Sequence, residues 1–491
     1  MNKKFIRVLF SMSFLLILGK GLGFVRSAFV ASTYGAGFIT DIYAFEDSFI
    51  NEIYAVFSTF LACSFIPKYL SLDEKGKNRL FNLILNAGVV IMLVFTILCM
   101  IFTQPILKIL VPGYFEIYDI SYIVFITRVN LVLLILIFLV NYIMIILQAH
   151  EIFIYLTLES LLLNVIVILY LIIIPRYEIL GLILCRIIAY ILLFIFSLIK
   201  LKKVMPLKYK AYFNPKDNDL KDMIKLSLPM LCITILWQLN YVIDKSMASG
   251  LESGSVACLN YANTISMIIY NVIGYIVSTY AYPILGKLQN DKEKISSAFK
   301  EYLLVLMQLV LPISILTMFF SGYASNLLYG HGNMEQSSVQ IISKILILYL
   351  PGSIAYCIKN LYAKLFYVKQ NTKIVLVLDA SGCLVNIGLN LLLVRIIGVY
   401  GLALGTSISS IVTVVLQIIF ANKKEYTAVN LLDFRKMCFS TVVLIIVGAL
   451  TSFILYSYIH NNIVQFVFVA LVYICVCVVF CLNDLKHIVS K

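Results

Sequence analysis

Residues 19–47 read GKGLGFVRSAFVASTYGAGFITDIYAFED, an apolar stretch that nevertheless carries Lys20, Arg26, Asp41, Glu46 and Asp47. The rest of the chain makes those charges conspicuous. Its 491 residues are 62% hydrophobic and 13% charged, with a mean hydropathy of +1.00, and long apolar runs recur throughout. Such a composition belongs to an all-α polytopic membrane protein, because a span needs about twenty apolar residues and must satisfy its own backbone hydrogen bonds. Length therefore counts spans rather than soluble domains.

Reading the apolar runs in order predicts fourteen transmembrane helices, at roughly 6–33, 38–67, 80–103, 120–147, 152–174, 178–199, 226–248, 255–286, 302–321, 339–368, 374–394, 397–421, 437–458 and 463–483. The first run is too long for a cleaved leader and is expected to remain as a span. Alternate connections hold 27 of the 38 basic residues on one side, and only Lys108, Arg176 and Arg395 on the other. Basic residues stay cytoplasmic, so both termini are expected on that face. The same asymmetry accounts for the net charge of +14 without nucleic acid, with anionic membrane lipids as the counter-charge. The eleven cysteines lie mostly in spans without metal-ligand spacing and read as reduced packing residues.

The longest hydrophilic connection, KLKKVMPLKYKAYFNPKDNDLKDMIK at 200–225, suggests a linker at 201–225. It separates an N-terminal lobe of six helices (1–200) from a C-terminal lobe of six (226–422), and a helix pair follows at 423–491. The lobes echo each other. ASTYGAGFITDIYAFEDS from Ala31 and ASGLESGSVACLNYANTI from Ala248 both set a small-residue turn before a Tyr-Ala pair, Tyr43-Ala44 and Tyr261-Ala262. Duplicated bundles of this kind build transporters whose substrate site lies near the repeat interface.

Eight basic side chains remain inside predicted spans: Lys20, Arg26, Arg128, Arg186, Lys245, Lys344, Lys359 and Lys364. The acidic ones include Asp41, Glu46, Asp47, Glu52, Glu159, Asp244 and Asp379. A charge at the centre of a span costs about 2.5 to 3.5 kcal/mol on insertion scales, so these groups are expected to face protein or water. Arg186 and Lys364, near helix ends, read as snorkelling side chains. Lys20, Arg26, Asp41, Glu46 and Asp47 read as the lining of a water-filled cavity, against the alternative of a salt-bridge network that only ties helices together. Six residues separate Lys20 from Arg26, about 240° on an ideal helix, so the two do not share a face. Gly19, Gly21 and Gly23 suggest a break that turns both inward, where a cation pair suits a phosphate or diphosphate.

A second set lies further along. Asp244 ends the seventh helix, Asn386 and Asn390 share a face of the eleventh, and Leu402 and Thr406 share a face of the twelfth. Carboxylate, amide, hydroxyl and carbonyl oxygens suit a hard monovalent cation such as sodium. The same residue types also hydrogen-bond between helices.

GFVRSAFVASTYGAG, TDIYAF, FIPKYL, SGSVACLNYAN and YGLALGTSISS, in this order along nearly the whole chain, resemble the MurJ family of lipid II flippases, within the multidrug, oligosaccharidyl-lipid and polysaccharide exporters. The resemblance implies two lobes around a cationic cavity, alternating access, and export of the undecaprenyl-diphosphate-linked peptidoglycan precursor across the bacterial cytoplasmic membrane by a monomer. It matches Arg26 and Asp41 to cavity residues and puts Lys20 where an arginine is usual. It also matches Asp244, Asn386, Asn390, Leu402 and Thr406 to a sodium site in which Asn390 replaces an aspartate. The family's arginine pair in the second helix is missing from FINEIYAVF, and Thr264 stands where another arginine is usual. Lys245 and Arg128 are the further cations within spans that can compensate.

The function expected is thus lipid II translocation without a bound cofactor, coupled to sodium or to the membrane potential. A capsule or O-antigen type lipid-linked oligosaccharide flippase is the alternative. A membrane-embedded glycosyltransferase is the reading from another class, and His150, His331, His460 and His487 are too scattered to support one.

Overall fold

The computed structural model describes residues 3–450 except 151, 153, 205–208, 213, 215, 216 and 428–444, together with 451, 453, 454, 464, 468, 471 and 472. All regular structure among the described residues is helical. The long helices are α1 (Lys3–Tyr34), α2 (Phe38–Leu70) and α3 (Glu74–Ile101), with short α4 (Thr103–Leu110) and α5 (Tyr114–Ile117) before α6 (Ile120–Ala149). Then come α7 (Ile154–Ile173), α8 (Glu178–Val204), α9 (Asn218–Ser249), α10 (Ser255–Ile269) and α11 (Tyr275–Lys287). The series continues with α12 (Lys292–Phe319), short α13 (Ser321–Tyr329), α14 (Gln336–Val368), α15 (Thr372–Ile397) and α16 (Val399–Lys423). A helix stands at each of the first twelve predicted spans; α10 and α11 share one, joined through a π turn at Tyr270–Gly274. Nine spans among the described residues are long and apolar enough to cross a membrane, ten if the bent α9 is one of them. The helix pair predicted at 437–458 and 463–483 lies largely outside the described residues.

Local chemistry sets the helix starts. Asp73, Asp119, Asp217 and Asp291 each accept a hydrogen bond from a backbone N–H in the first turn of α3, α6, α9 and α12. Those donors have no partner inside the helix, and an aspartate in the preceding position satisfies one of them.

Packing divides the chain into two compact units, Met1–Ala257 with His331–Glu335, and Cys258–Gly330 with Gln336–Lys491. In the first, α2 packs on α6 and α9, α1 on α7, and α6 on α8; in the second, α14 and α15 both pack on α16. The lobe boundary drawn at 201–225 follows the repeat and the charge run, whereas the packing boundary follows α2 and α9. Thr59 and Thr234 hydroxyls lie 3.0 Å apart between those two helices, and Lys68 bridges Asp219 at 2.8 Å and Asp222 at 3.0 Å.

Three glycines in the left-handed region shape one end of the first unit: Gly35 (φ 68°), Gly254 (φ 91°) and Gly332 (φ 65°). At each of them backbone meets backbone. A Cβ on Gly332 would lie 2.2 Å from the Ser32 carbonyl oxygen, one on Gly35 2.7 Å from that of Asn333, and one on Gly254 2.9 Å from that of Ala36. The segment at 331–335 is held there by Asn333, whose N–H donates to Ser32 O at 2.8 Å and whose Nδ2 donates to Thr33 O at 2.6 Å.

Gly332→Ala should therefore destabilise the chain by about 1–3 kcal/mol through backbone strain. Gly21→Ala, with nothing within 4 Å of the new methyl, should be neutral or slightly stabilising. Thermal unfolding of the two variants in one detergent measures the difference, and equal midpoints would refute the strain.

Candidate functional site

The charged residues of α1 and α2 separate into distinct environments. Gly19, Gly21 and Gly23 do not break α1, which runs as one helix from Lys3 to Tyr34. Gly19 and Gly23 instead give α1 a close seat on α7. A Cβ on Gly19 would lie 2.7 Å from Ser160 Oγ, and Asn164 Nδ2 donates to the Gly19 carbonyl at 3.0 Å. This is small-residue packing with a polar tie, as membrane helices use it. Without a break, Lys20 stays exposed while Arg26, on another face, is partly buried.

Asp41 and Glu46 are both turned into protein. Asp41 is buried and accepts the N–H groups of Gly254 at 2.6 Å and Ala257 at 2.7 Å, so α2 caps the first turn of α10. Glu46 is fully buried; Thr127 Oγ1 donates to one oxygen and Asn130 Nδ2 to the other at 2.7 Å. Asn130 also donates to the Glu46 carbonyl at 2.9 Å, which ties α2 to α6 twice. Arg128, on the same helix, is engaged elsewhere and donates to Met100 O at 3.1 Å.

Asp47 is the acidic residue of this stretch that pairs with a buried arginine. Its side chain is 28% exposed, and Arg186 of α8, only 1% exposed, places Nη1 3.1 Å from Oδ1. The other arm of Arg186 donates to Asn51 Oδ1 at 3.3 Å, and Asn51 Nδ2 donates back to Asp47 at 3.4 Å. Arg26 and Lys245 also lie within electrostatic reach of Asp47. Lys245, on α9, donates to Ala44 O at 3.2 Å and has Glu52 and Asp244 as further charged neighbours. Tyr190, one turn beyond Arg186, donates to Glu159 at 2.6 Å and neighbours Arg26 together with Tyr43. An apolar layer of Val30, Tyr43, Val167, Leu171, Leu182 and Cys185 packs beside this network and holds α1, α2, α7 and α8 in register.

Arg186 thus corrects the snorkelling reading. It is among the largest fully buried side chains and is anchored by two groups on α2.

The second set is brought together on α15 and α16 except for Asp244, which belongs to α9 in the other unit. Asn390 Nδ2 donates to Asn386 Oδ1 at 3.0 Å, Asn386 Nδ2 to Thr406 Oγ1 at 3.4 Å, and Thr406 Oγ1 to Leu402 O at 2.9 Å. Of these bonds only Asn386 to Thr406 joins the two helices, the other two lying within α15 and within α16. Lys359 and Asp379 form a separate buried pair at 3.2 Å between α14 and α15.

Comparison with known proteins is uniform. The family model described as Lipid II flippase MurJ matches residues 30–475. A probable lipid II flippase MurJ of Rickettsia prowazekii is 24% identical over 410 residues, 81% of this chain and 80% of that protein. One of Helicobacter pylori strain 26695 is 25% identical over 417 residues, covering 79% and 89%. A solved structure described as lipid II flippase MurJ, inward closed conformation, superposes with a TM-score of 0.80 at 22% identity, over 96% of this chain and 99% of that one. An inward-facing multidrug MATE transporter follows at 0.68 and 15%, over 83% and 94%. At these identities the superpositions speak to fold.

Removing the donor that reaches both the carboxylate and the carbonyl of Glu46 should be costly: Asn130→Leu is expected to lower stability by about 1.5–3 kcal/mol. Lys20→Ala, at an exposed position, should stay within about 0.5 kcal/mol. Thermal denaturation of purified protein distinguishes them, and an Asn130→Leu variant as stable as the wild type would refute the Glu46 network.

Proposed function

The chain belongs to the MurJ family of lipid II flippases, and we infer that it moves lipid II, the undecaprenyl-diphosphate-linked peptidoglycan precursor, from the inner to the outer leaflet of the cytoplasmic membrane. The family match across most of the chain carries this reading, and the buried charges agree with it. A diphosphate headgroup needs cations inside the bilayer, and Arg26 and Lys245 are partly accessible. A capsule or O-antigen type flippase is not favoured, since the relatives described above are lipid II flippases. The activity is transport: the headgroup is bound, screened from hydrocarbon and released unchanged.

Lobes open to the cytoplasm admit the headgroup, Arg26 holds it, Lys20 helps recruit it, and the lobes then open outward while the lipid tail remains in the bilayer. The protein works as a monomer with both termini cytoplasmic, in agreement with the distribution of lysine and arginine. Sodium, held among Asn386, Asn390, Leu402 and Thr406, or the membrane potential biases the two states. Either acts only through a difference in its interaction with them.

Rescue of a bacterium depleted of its own lipid II flippase tests the central claim. The wild-type chain should restore growth and lipid II exposure on the outer leaflet, while Arg26→Ala, folded and inserted, should lower exposure at least tenfold. Rescue by Arg26→Ala would remove that residue from the mechanism. For the ion, the wild type should melt higher in sodium chloride than in potassium chloride, and Thr406→Ala should lose the difference; equal melting of the wild type in the two salts would eliminate the sodium site.

A further inference from the structure

Between α2, α3, α6 and α9 lies a crevice of about 360 Å³ whose walls are apolar throughout, with Phe57, Ile84, Phe138, Leu220 and Ile224 among them. It spans the bend of α9, where Asn218–Leu228 and Met230–Ser249 meet at 53°. Ile91 and Ile224 on its walls are exposed, as are Val90, Val94 and Leu228 beside them, so the crevice opens sideways onto a face made for hydrocarbon. One end carries charge. Asp219 directly precedes Leu220, Arg79 stands five residues before Ile84, and Lys68 seven after Leu61, which is roughly 7–10 Å along α3 and α2. Lys68 bridges Asp219 at 2.8 Å and Asp222 at 3.0 Å, and Arg79 pairs with Asp219. The linker is fastened to the same end of α3: Lys210 N–H donates to Asn82 Oδ1 at 2.9 Å, and Asn86 Nδ2 donates to Lys210 O at 3.1 Å. Within this crown Asp219 is 13% exposed, whereas Arg79 is 47% and Asp222 68% exposed. One open cation and one open carboxylate thus stand at the mouth of an apolar slot.

We propose that this crevice binds one phosphatidylethanolamine molecule: an acyl chain lies in the slot, Arg79 holds the phosphate, and Asp222 accepts from the ammonium. The chain cannot select its lipid, because every bilayer lipid has tails as apolar as these walls. Selection lies in the crown. Its two cations and two carboxylates balance, which suits a headgroup bearing both signs. The guanidinium forks across phosphate oxygens, and the ammonium has N–H groups to donate. Phosphatidylglycerol brings the phosphate but no cation for Asp222, and phosphatidylcholine brings a cation without an N–H. The seated lipid fills the gap at the bend and ties α9 to α2 and α3. None of the charges at 20–47 takes part, so the site is independent of the cargo that the protein carries.

Native mass spectrometry of the full-length chain, released from nanodiscs of equal parts phosphatidylethanolamine, phosphatidylglycerol and phosphatidylcholine, reads which lipid stays bound. The wild type should keep one phosphatidylethanolamine with a preference of about threefold over either of the others, the scale of an exposed charge pair. Asp222→Asn keeps the size and removes the charge; it should retain as much lipid in total and lose the preference. Leu231→Trp fills the slot with apolar bulk and should retain several-fold less phosphatidylethanolamine, whereas Leu98→Trp, exposed on α3 outside the crevice, should match the wild type. Equal retention of the three lipids by the wild type, or an unchanged preference in Asp222→Asn, overturns the proposal. So does wild-type retention in Leu231→Trp. Should Leu231→Trp fail to fold, Asp222→Asn, at an exposed position, decides alone.

Discussion

A charge in hydrocarbon must be answered by protein, and in the first unit that requirement arranges the helices. α2 carries three carboxylates within seven residues, Asp41, Glu46 and Asp47, and each is met by a different neighbour. The N-terminal turn of α10 meets Asp41, the polar side chains of α6 meet Glu46, and Arg186 of α8 meets Asp47. Their directions around the α2 axis are fixed by the helical repeat, so satisfying all three orients α2 against several helices at once. Apolar packing alone orients helices loosely in a lipid environment, because lipid tails compete for the same contacts. The polar contacts supply the missing directionality.

The three carboxylates differ in how completely they are enclosed. Asp41 and Glu46 have both carboxylate oxygens engaged by nearby donors and are buried. Asp47 is paired on one side and open on another. Within two turns of one helix, two enclosed carboxylates are thus followed by one that is partly open, and burial together with donor count tells them apart.

Much of the architecture was legible because its causes are local. Apolar runs mark the spans, whereas α3, α9 and α12 begin ahead of their apolar cores, at Glu74, Asn218 and Lys292, where Asp73, Asp217 and Asp291 accept from first-turn amides. The echo between the two Tyr-Ala segments proved to have a backbone counterpart, since Gly35 and Gly254, both left-handed, precede them. The glycines of α1 were harder to read. Sequence spacing supports either a break or a close helix contact, and only the position of Ser160 and Asn164 on α7 decides for contact. Arg186 was misassigned for a similar reason: its partners, Asp47 and Asn51, are remote in sequence, and nothing near Arg186 announces an ion pair. The same holds for Asp41, whose donors are backbone amides and leave no mark in side-chain pattern. Lone charges in spans signal that partners exist; which helix supplies them is a property of the fold.

The cap that Asp41 places on α10 has a spectroscopic consequence. Its two donors are main-chain N–H groups, those of Gly254 and Ala257, held by a carboxylate shielded from solvent. Amide protons so enclosed exchange with deuterium slowly, and only when the carboxylate withdraws. Gly254 and Ala257 are thus native isotope clocks for the withdrawal of Asp41 from the turn at 254–257, readable without attaching any probe to the chain.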